Sequence, residues 1–126
     1  MKVKDLPPGR LLSVSLATKL AEVAREMRAQ DSDSVAVMDG GVLVGIITER
    51  DLVRAIADGL NPTEASAGTV MTSDPATVSL DEEVNVVAVK MMRLGIRHLP
   101  VVDQNGKPAG LVSARDLVAV LDRAHS

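Results

Sequence analysis

The chain has 126 residues, the usual size of one compact domain, with 46% apolar residues and a formal net charge of −3. It contains no Phe, Tyr or Trp, so it lacks base-stacking side chains, and its charge lacks the basic character of a duplex binder. The absence of cysteine excludes disulfides, a zinc knuckle and a thiol nucleophile.

The sequence also contains an internal repeat. Residues 45–53, GIITERDLV, return as residues 110–118, GLVSARDLV, at an offset of 65. Upstream, residues 14–16 return at 78–80, now at an offset of 64. Because about 60 residues are marginal alone, we expect two copies of one supersecondary unit that share a core and form two related clefts.

In chain order, the first long element of each repeat is a predicted amphipathic helix. In repeat 1 the apolar residues recur at helical spacing after Ser15, the predicted N-cap: Leu16, Leu20, Val23, Ala24 and Met27. Repeat 2 has the same spacing: Leu80, Val84, Val87, Ala88 and Met91. Ser79 and Glu82 predict a capping box for this second helix, and Gly95 is predicted to follow its last turn.

Two strands and another helix are predicted to follow in each repeat. The strands are expected at 35–38 and 42–47, and at 99–102 and 108–112, with glycine-containing turns between them. We therefore predict an α/β fold of two pseudo-symmetric β-α-β-β-α units packed sheet to sheet. The predicted boundaries are 1–60 for repeat 1, 61–75 for a linker leading into repeat 2, and 76–126 for repeat 2.

At each predicted junction between a strand and the following helix, a hydroxyl residue precedes a carboxylate residue by three positions. The pairs are Thr48 with Asp51 and Ser113 with Asp116. Such a pair can form a capping box, which would explain both residues without a ligand. The usual box uses Glu or Gln, and the shorter Asp is expected to reach back less well. A carboxylate at the end of a strand can instead accept hydrogen bonds from the two hydroxyls of a ribose.

These motifs occur in the same order in both repeats, and together they resemble the cystathionine-β-synthase-type (CBS) domain pair, also called a Bateman module. The resemblance rests on G-h-h-T/S-x-x-D (h, an apolar residue), on residues 99–103 and on residues 70–78, and it covers essentially the whole chain. It implies a regulatory module that binds an adenosine-containing ligand, such as AMP, ADP, ATP or S-adenosylmethionine, in clefts between the repeats. No resident cofactor is implied, and a separate regulated enzyme or transporter is an implied partner.

Three further expectations concern activity, location and assembly. The sequence offers no nucleophile–base pair, Walker lysine or metal cluster, and His125 stands alone near the end, so we expect no enzyme. No apolar run approaches about 18 residues, and a soluble cytoplasmic protein is the simplest expectation. A homodimer is expected through the second helices of the repeats, because their apolar residues exceed what one small sheet would cover: Val53, Ile56, Val118 and Leu121.

The resemblance also assigns roles to the polar residues. Asp51 and Asp116 would bind ribose, Thr48 and Ser113 would approach sugar or phosphate, and Arg97 and His98 would approach phosphate. Arg50 and Arg115 oppose the helix dipole, which a nearby phosphate would explain. One alternative is that the neighbouring Asp neutralises each of these two arginines, and another is that each arginine points to solvent. For Arg97 the alternative is that it belongs, with Lys90 and Arg93, to a solvated helix face.

The adenine is expected in an apolar slot with backbone hydrogen bonds. For the Asp51 cleft the resemblance implies Ile46, Thr72, Ala76, Thr77, Val78 and Ile96. For the Asp116 cleft it implies Leu12 and Leu111, together with Pro8, Ser13 and Val14. The alternative is that these are ordinary core residues.

The two clefts are predicted to differ chemically. Repeat 1 has Asp33 and Ser34 where repeat 2 has Arg97 and His98, so the Asp116 cleft is expected to prefer a phosphorylated nucleotide. A second hypothesis is a structural or protein-interaction module with degenerate, ligand-free clefts.

Overall fold

The computed structural model describes residues 1–7, 9 and 11–124, with side chains described through residue 121. The chain forms two compact units. The first-repeat unit is Leu11–Pro75, and the second-repeat unit combines Met1–Arg10 with Ala76–Ser126. The first residues of the chain therefore fold with the second repeat. No helix in the described ranges has both the length and the apolar character needed to cross a bilayer.

The first-repeat unit is a four-stranded sheet with helices. Its elements are β1 (Ser13–Ser15), α1 (Leu20–Ala29), β2 (Ser34–Asp39), β3 (Val42–Thr48), α2 (Glu49–Ala57), α3 (Ala67–Val70) and β4 (Thr72–Ser73). The strand order is β1-β2-β3-β4, with β1 parallel to β2 and the other pairs antiparallel. The segment expected to be a linker thus supplies a short helix and an edge strand to this unit.

The second-repeat unit is a three-stranded sheet with two long helices. A short 3₁₀ turn (Val3–Asp5) precedes β5 (Val78–Ser79), α4 (Val84–Leu94), β6 (His98–Val102), β7 (Pro108–Ser113) and α5 (Ala114–Ala124). The strand order is β5-β6-β7, with β5 parallel and β7 antiparallel to β6. The predicted β-α-β-β-α order and the α/β fold class are confirmed in both units.

The predicted starts of the first helices are wrong by about one turn. Ser15 lies in β1, and α1 begins at Leu20 after Lys19. In repeat 2, Glu82 does accept a hydrogen bond from the Ser79 N–H at 2.7 Å, but this contact closes a turn before α4, which begins at Val84. In both units a backbone carbonyl from the incoming segment caps the helix: the Leu20 N–H donates to the Ala65 carbonyl, and the Val84 N–H donates to that of Met1.

Each sheet buries one face under its helices. The core of the first-repeat unit contains Val23 and Met27 of α1, with Val35, Val37 and Ile47 of the strands, and Ala67. The core of the second-repeat unit is the matching set around Val84, Val87, Met91, Leu99 and Val112. Because side chains alternate along a strand, Ser34, Ala36 and Ile46 point to the opposite face of the first sheet, and His98, Pro100 and Leu111 to that of the second.

Candidate ligand site

Thr48 and Asp51 form a complete capping box at the start of α2. The Thr48 N–H donates to Asp51 Oδ2 at 2.8 Å, and the Asp51 N–H donates to Thr48 Oγ1 at 3.4 Å. The Thr48 hydroxyl also donates to Asp51 Oδ2 at 3.1 Å. The expectation that an aspartate would reach back less well is therefore wrong, because strand β3 delivers the threonine N–H directly to the carboxylate.

Ser113 and Asp116 repeat this arrangement at the start of α5. The Ser113 N–H donates to Asp116 Oδ2 at 3.0 Å, and the Asp116 N–H donates to Ser113 Oγ at 3.2 Å. In both boxes only Oδ2 is used; within the described ranges, Oδ1 of Asp51 and of Asp116 has no hydrogen-bond partner. Asp51 is partly exposed and Asp116 is exposed.

The arginines beside these carboxylates are exposed. Arg50 and Arg115 each occupy the second position of their helix, at the positive end of the dipole. Neither guanidinium forms an ion pair within the part of the chain that the structure describes. The neighbouring Asp therefore does not neutralise either arginine directly, and both arginines extend toward solvent.

Arg97 and His98 lie at the start of α5. The Ala114 N–H, the first of that helix, donates to the Arg97 carbonyl at 2.9 Å, and His98 pairs with Ser113 in the β6–β7 register. The second-repeat unit therefore brings Arg97, His98, Ser113, Arg115 and Asp116 together, and three of these five side chains can carry positive charge.

The first-repeat unit places different residues at the matching positions. The Glu49 N–H donates to the Asp33 carbonyl at 3.0 Å, and Ser34 pairs with Thr48. Around the start of α2 the charged groups are Asp33 and Asp51 against Arg50. The Ser34 side chain is fully buried, and among the described residues its hydroxyl has no hydrogen-bond partner.

Lys90 has a role that its sequence position does not reveal. Its ammonium donates to the Thr77 carbonyl at 3.2 Å and pairs with Glu82 at 3.3 Å, while its side chain is 34% exposed. The interpretation of Lys90 as part of a solvated helix face is therefore wrong. Thirteen residues separate Lys90 from Thr77, so no local pattern signals the contact.

The residues assigned to the adenine slot lie in varied places. Thr72 of β4 is exposed and pairs with buried Ile46 on β3, and Leu111 pairs with Pro100. Val78 belongs to the core of the second-repeat unit, and Leu12 packs against that of the first. Ala76 and Ile96 are exposed, Thr77 is partly exposed, and all three belong to the second-repeat unit. Pro8 and His125 lie outside the described residues.

Close packing explains why each G-h-h-T/S-x-x-D motif begins with glycine. A Cβ on Gly45 would meet the Met71 side chain and would lie 2.9 Å from the Thr72 carbonyl oxygen. A Cβ on Gly110 would lie 3.1 Å from the Gly9 carbonyl oxygen. In both units the incoming backbone crosses the strand so closely that a side chain there would push it away.

Comparison with known proteins gives the family. The CBS domain family matches residues 3–58 and 67–123. A 17.7 kDa protein of Acidianus ambivalens is 36% identical over 126 residues, which cover 99% of this chain and 76% of that protein. The chain spans about half or less of the length of seven other curated relatives that it matches.

Two solved structures are similar over nearly all of the chain. A CBS domain protein from Pyrobaculum aerophilum complexed with AMP is 29% identical, with a TM-score of 0.87 and 100% of both chains covered. The CBS domain pair of protein MJ0100, in complex with 5′-methylthioadenosine and S-adenosyl-L-methionine, is 27% identical, with a TM-score of 0.89 and 98% of both chains covered. With the duplicated caps and the β-α-β-β-α units, these matches establish that the chain belongs to the CBS domain family.

Proposed function

We propose that this protein is a regulatory module that binds adenosine-containing ligands and is not itself a catalyst. The observation that carries the proposal is that the carboxylate of each cap uses only one of its two oxygens to cap the helix. Asp51 and Asp116 hold the helix start with Oδ2 and leave Oδ1 without a partner in the described ranges, beside helix N–H groups that favour anions. A ribose hydroxyl can donate to that free oxygen while the cap stays intact.

The ligand class is supported by the similar structures. The Pyrobaculum protein binds AMP, and the MJ0100 pair binds 5′-methylthioadenosine and S-adenosyl-L-methionine. All three ligands carry an adenosine moiety with a ribose, which is the group that a carboxylate with a free oxygen can recognise. We extend this class, with ADP and ATP, to the present chain.

The charge around each cap supports different ligands in the two units. In the second-repeat unit Arg97, His98 and Arg115 belong to the segments at the start of α5 that carries one carboxylate, Asp116. A charge-assisted hydrogen bond from such a group to a phosphate contributes roughly 1.5–3 kcal/mol. In the first-repeat unit Asp33 stands where Arg97 would be, so a phosphate would meet a second carboxylate. We assign phosphorylated nucleotides to the Asp116 site, and nucleosides or weakly charged ligands to the Asp51 site.

Ligand binding would regulate by favouring one arrangement of the protein over another. The helices that we expect to form a homodimer expose apolar side chains as predicted: Val53 and Ile56 on α2, and Val118 and Leu121 on α5. Apolar surface of this kind marks contact sites. A regulated enzyme or transporter would respond to the arrangement that the ligand selects.

The test separates capping from ligand binding. Asparagine caps a helix about as well as aspartate, but its amide presents a donor where Oδ1 accepts. Asp116→Asn should therefore unfold at nearly the wild-type denaturant concentration and lose AMP affinity at least tenfold by isothermal titration. Asp51→Asn, which makes the same change at the other cap, is the matched control and should leave the tighter AMP-binding event largely intact.

The alternative hypothesis is a structural module whose sites bind no ligand, and it predicts different results. It expects no heat and no thermal shift with AMP, ADP, ATP, S-adenosylmethionine or 5′-methylthioadenosine, and no effect of Asp51→Asn with Asp116→Asn beyond small changes in stability. The carboxylate of Asp33, which would repel a phosphate, favours this hypothesis for the first-repeat unit. Titration of the whole panel decides between the two.

A further inference from the structure

All of the sulfur in this chain belongs to its six methionines, since the sequence contains no cysteine. The methionines differ in how far solvent reaches them. Met27 and Met91 are each 4% exposed and belong to the two cores, whereas Met92 is 78% exposed. Met38 and Met71 are half-buried. Oxidation by a small peroxide is therefore expected to be selective, and its effect depends on what each accessible sulfur touches.

Met71 lies between α3 and β4 and packs into a notch in strand β3. The notch exists because residue 45 is glycine: a Cβ there would meet Met71 Sδ and would lie 2.8 Å from Met71 Cγ. Gly45 is buried, and the Met71 side chain also packs against the core of the first-repeat unit. An oxygen atom added to Sδ would therefore have to enter this notch or turn the side chain out of it.

Strand β4, which follows Met71, is held by few contacts. It lies at the edge of the first sheet, and its two residues, Thr72–Ser73, pair with Ile46 and Gly45 of β3. Beyond them the Asp74 N–H donates to the Val44 carbonyl at 3.2 Å. Both residues of β4 are exposed. A short, exposed edge strand can open locally at a lower free-energy cost than that of global unfolding.

A peroxide oxidises a thioether by transferring one oxygen atom to it. A lone pair of Met71 Sδ attacks one oxygen of hydrogen peroxide, and the O–O bond breaks. The departing hydroxide takes the proton of the transferred OH group and leaves as water, so the sulfur loses two electrons and the peroxide gains them. The resulting sulfoxide is polar where the thioether was apolar. Burial of such a group without a hydrogen bond costs free energy, so the notch favours the reduced side chain.

We propose that Met71 is a site of reversible oxidation, and that its sulfoxide releases β4 from the edge of β3. The matching position before the second repeat, at an offset of 64, is Pro7, which has no sulfur to oxidise. The effect is therefore confined to the first-repeat unit. Methionine sulfoxide reductases restore the thioether, which makes the change reversible. The proposal does not rest on nucleotide binding.

Amide hydrogen exchange of the full chain tests the release of β4. Hydrogen peroxide is added until peptide mapping by mass spectrometry shows Met71 as the sulfoxide while Met27 and Met91 remain thioethers. Exchange of the Asp74 amide should then accelerate by about tenfold or more, whereas that of Val37, in the core of the same sheet, should not change. Treatment with methionine sulfoxide reductase should restore the slow exchange. An oxidised Met71 with unchanged exchange at Asp74 would overturn the proposal.

Substitutions assign the effect to one sulfur. Met71→Leu keeps an apolar side chain in the notch and should make exchange at Asp74 insensitive to peroxide. Met38→Leu, at a methionine that is also half-buried, is the matched control and should respond to peroxide as the wild type does. Met71→Gln, which places a polar group of similar length in the notch, should show fast exchange without peroxide. A full peroxide response in Met71→Leu, or slow exchange in Met71→Gln, would also overturn the proposal.

Discussion

Asp31 and Gly95 occupy the same left-handed position after the first helix of their repeats, with φ of 50° and 66°. The hydrogen bonds around them also match: the Ser32 N–H donates to the Met27 carbonyl at 2.9 Å, and the Ile96 N–H donates to the Met91 carbonyl at 3.1 Å. The duplication therefore extends to the backbone conformation of single residues. One copy uses glycine, which adopts this conformation without steric cost, and the other does not.

This difference predicts an asymmetric pair of stability changes. Asp31→Gly should raise the free energy of unfolding by up to about 1 kcal/mol, because it relieves a left-handed side chain. Gly95→Ala should lower it by about 1 kcal/mol for the converse reason. Urea unfolding of the two variants checks both, and Ala29→Gly, inside the last turn of α1, is the control that should destabilise. A loss of stability in Asp31→Gly would contradict the argument.

The helices show what sequence can and cannot predict. Most of the predicted stripes of α1 and α4 follow from local spacing: Leu20, Val23, Met27, Val84, Val87 and Met91 are buried as expected, whereas Ala24 is exposed and Ala88 only partly buried. The helix starts were not predictable in this way, because the caps are carbonyls of Ala65 and Met1, which lie 45 and 83 residues away in the chain. A local S-x-x-E pattern cannot show that a distant backbone segment has taken over the cap.

In the candidate site, too, contacts that are local in sequence could be predicted, and contacts between separate elements could not. Thr48 with Asp51 and Ser113 with Asp116 were identified from a three-residue spacing, because their contacts are local. The Lys90 contact with the Thr77 carbonyl and the buried Ser34 hydroxyl depend on how separate elements pack, so no spacing in the sequence indicated them.

The motif glycines predict a graded response to alanine. In Gly45→Ala the new Cβ would meet the Met71 side chain and the Thr72 carbonyl oxygen at 2.9 Å, so the backbone of β4 has to move. Overpacking of this kind costs typically about 1–3 kcal/mol. Gly110→Ala, with 3.1 Å to the Gly9 carbonyl oxygen, should cost less. Thermal unfolding of both variants measures the order, and equal stability of Gly45→Ala and wild type would refute the packing explanation.

The unequal charge of the two units predicts which substitutions remove the tighter AMP-binding event. Asp116→Ala combined with His98→Ala should abolish that event, because it deletes the ribose acceptor and one phosphate donor, with charge-assisted bonds of roughly 1.5–3 kcal/mol each. Asp51→Ala should leave the event largely intact. Calorimetric titration with AMP distinguishes the two variants, and adenosine is the control ligand without phosphate. Loss of the tight event in Asp51→Ala, with normal binding in the double variant, would reverse the assignment.

His98 predicts a loss of affinity that is selective for the phosphorylated ligand. His98→Asn removes a ring that we assign to the phosphate end of the Asp116 site, so it should weaken AMP binding. Adenosine binding should not change, because adenosine offers no phosphate for the ring to contact. Calorimetric titration of both ligands with wild type and variant measures the difference, and an equal effect on AMP and adenosine would remove His98 from the phosphate site.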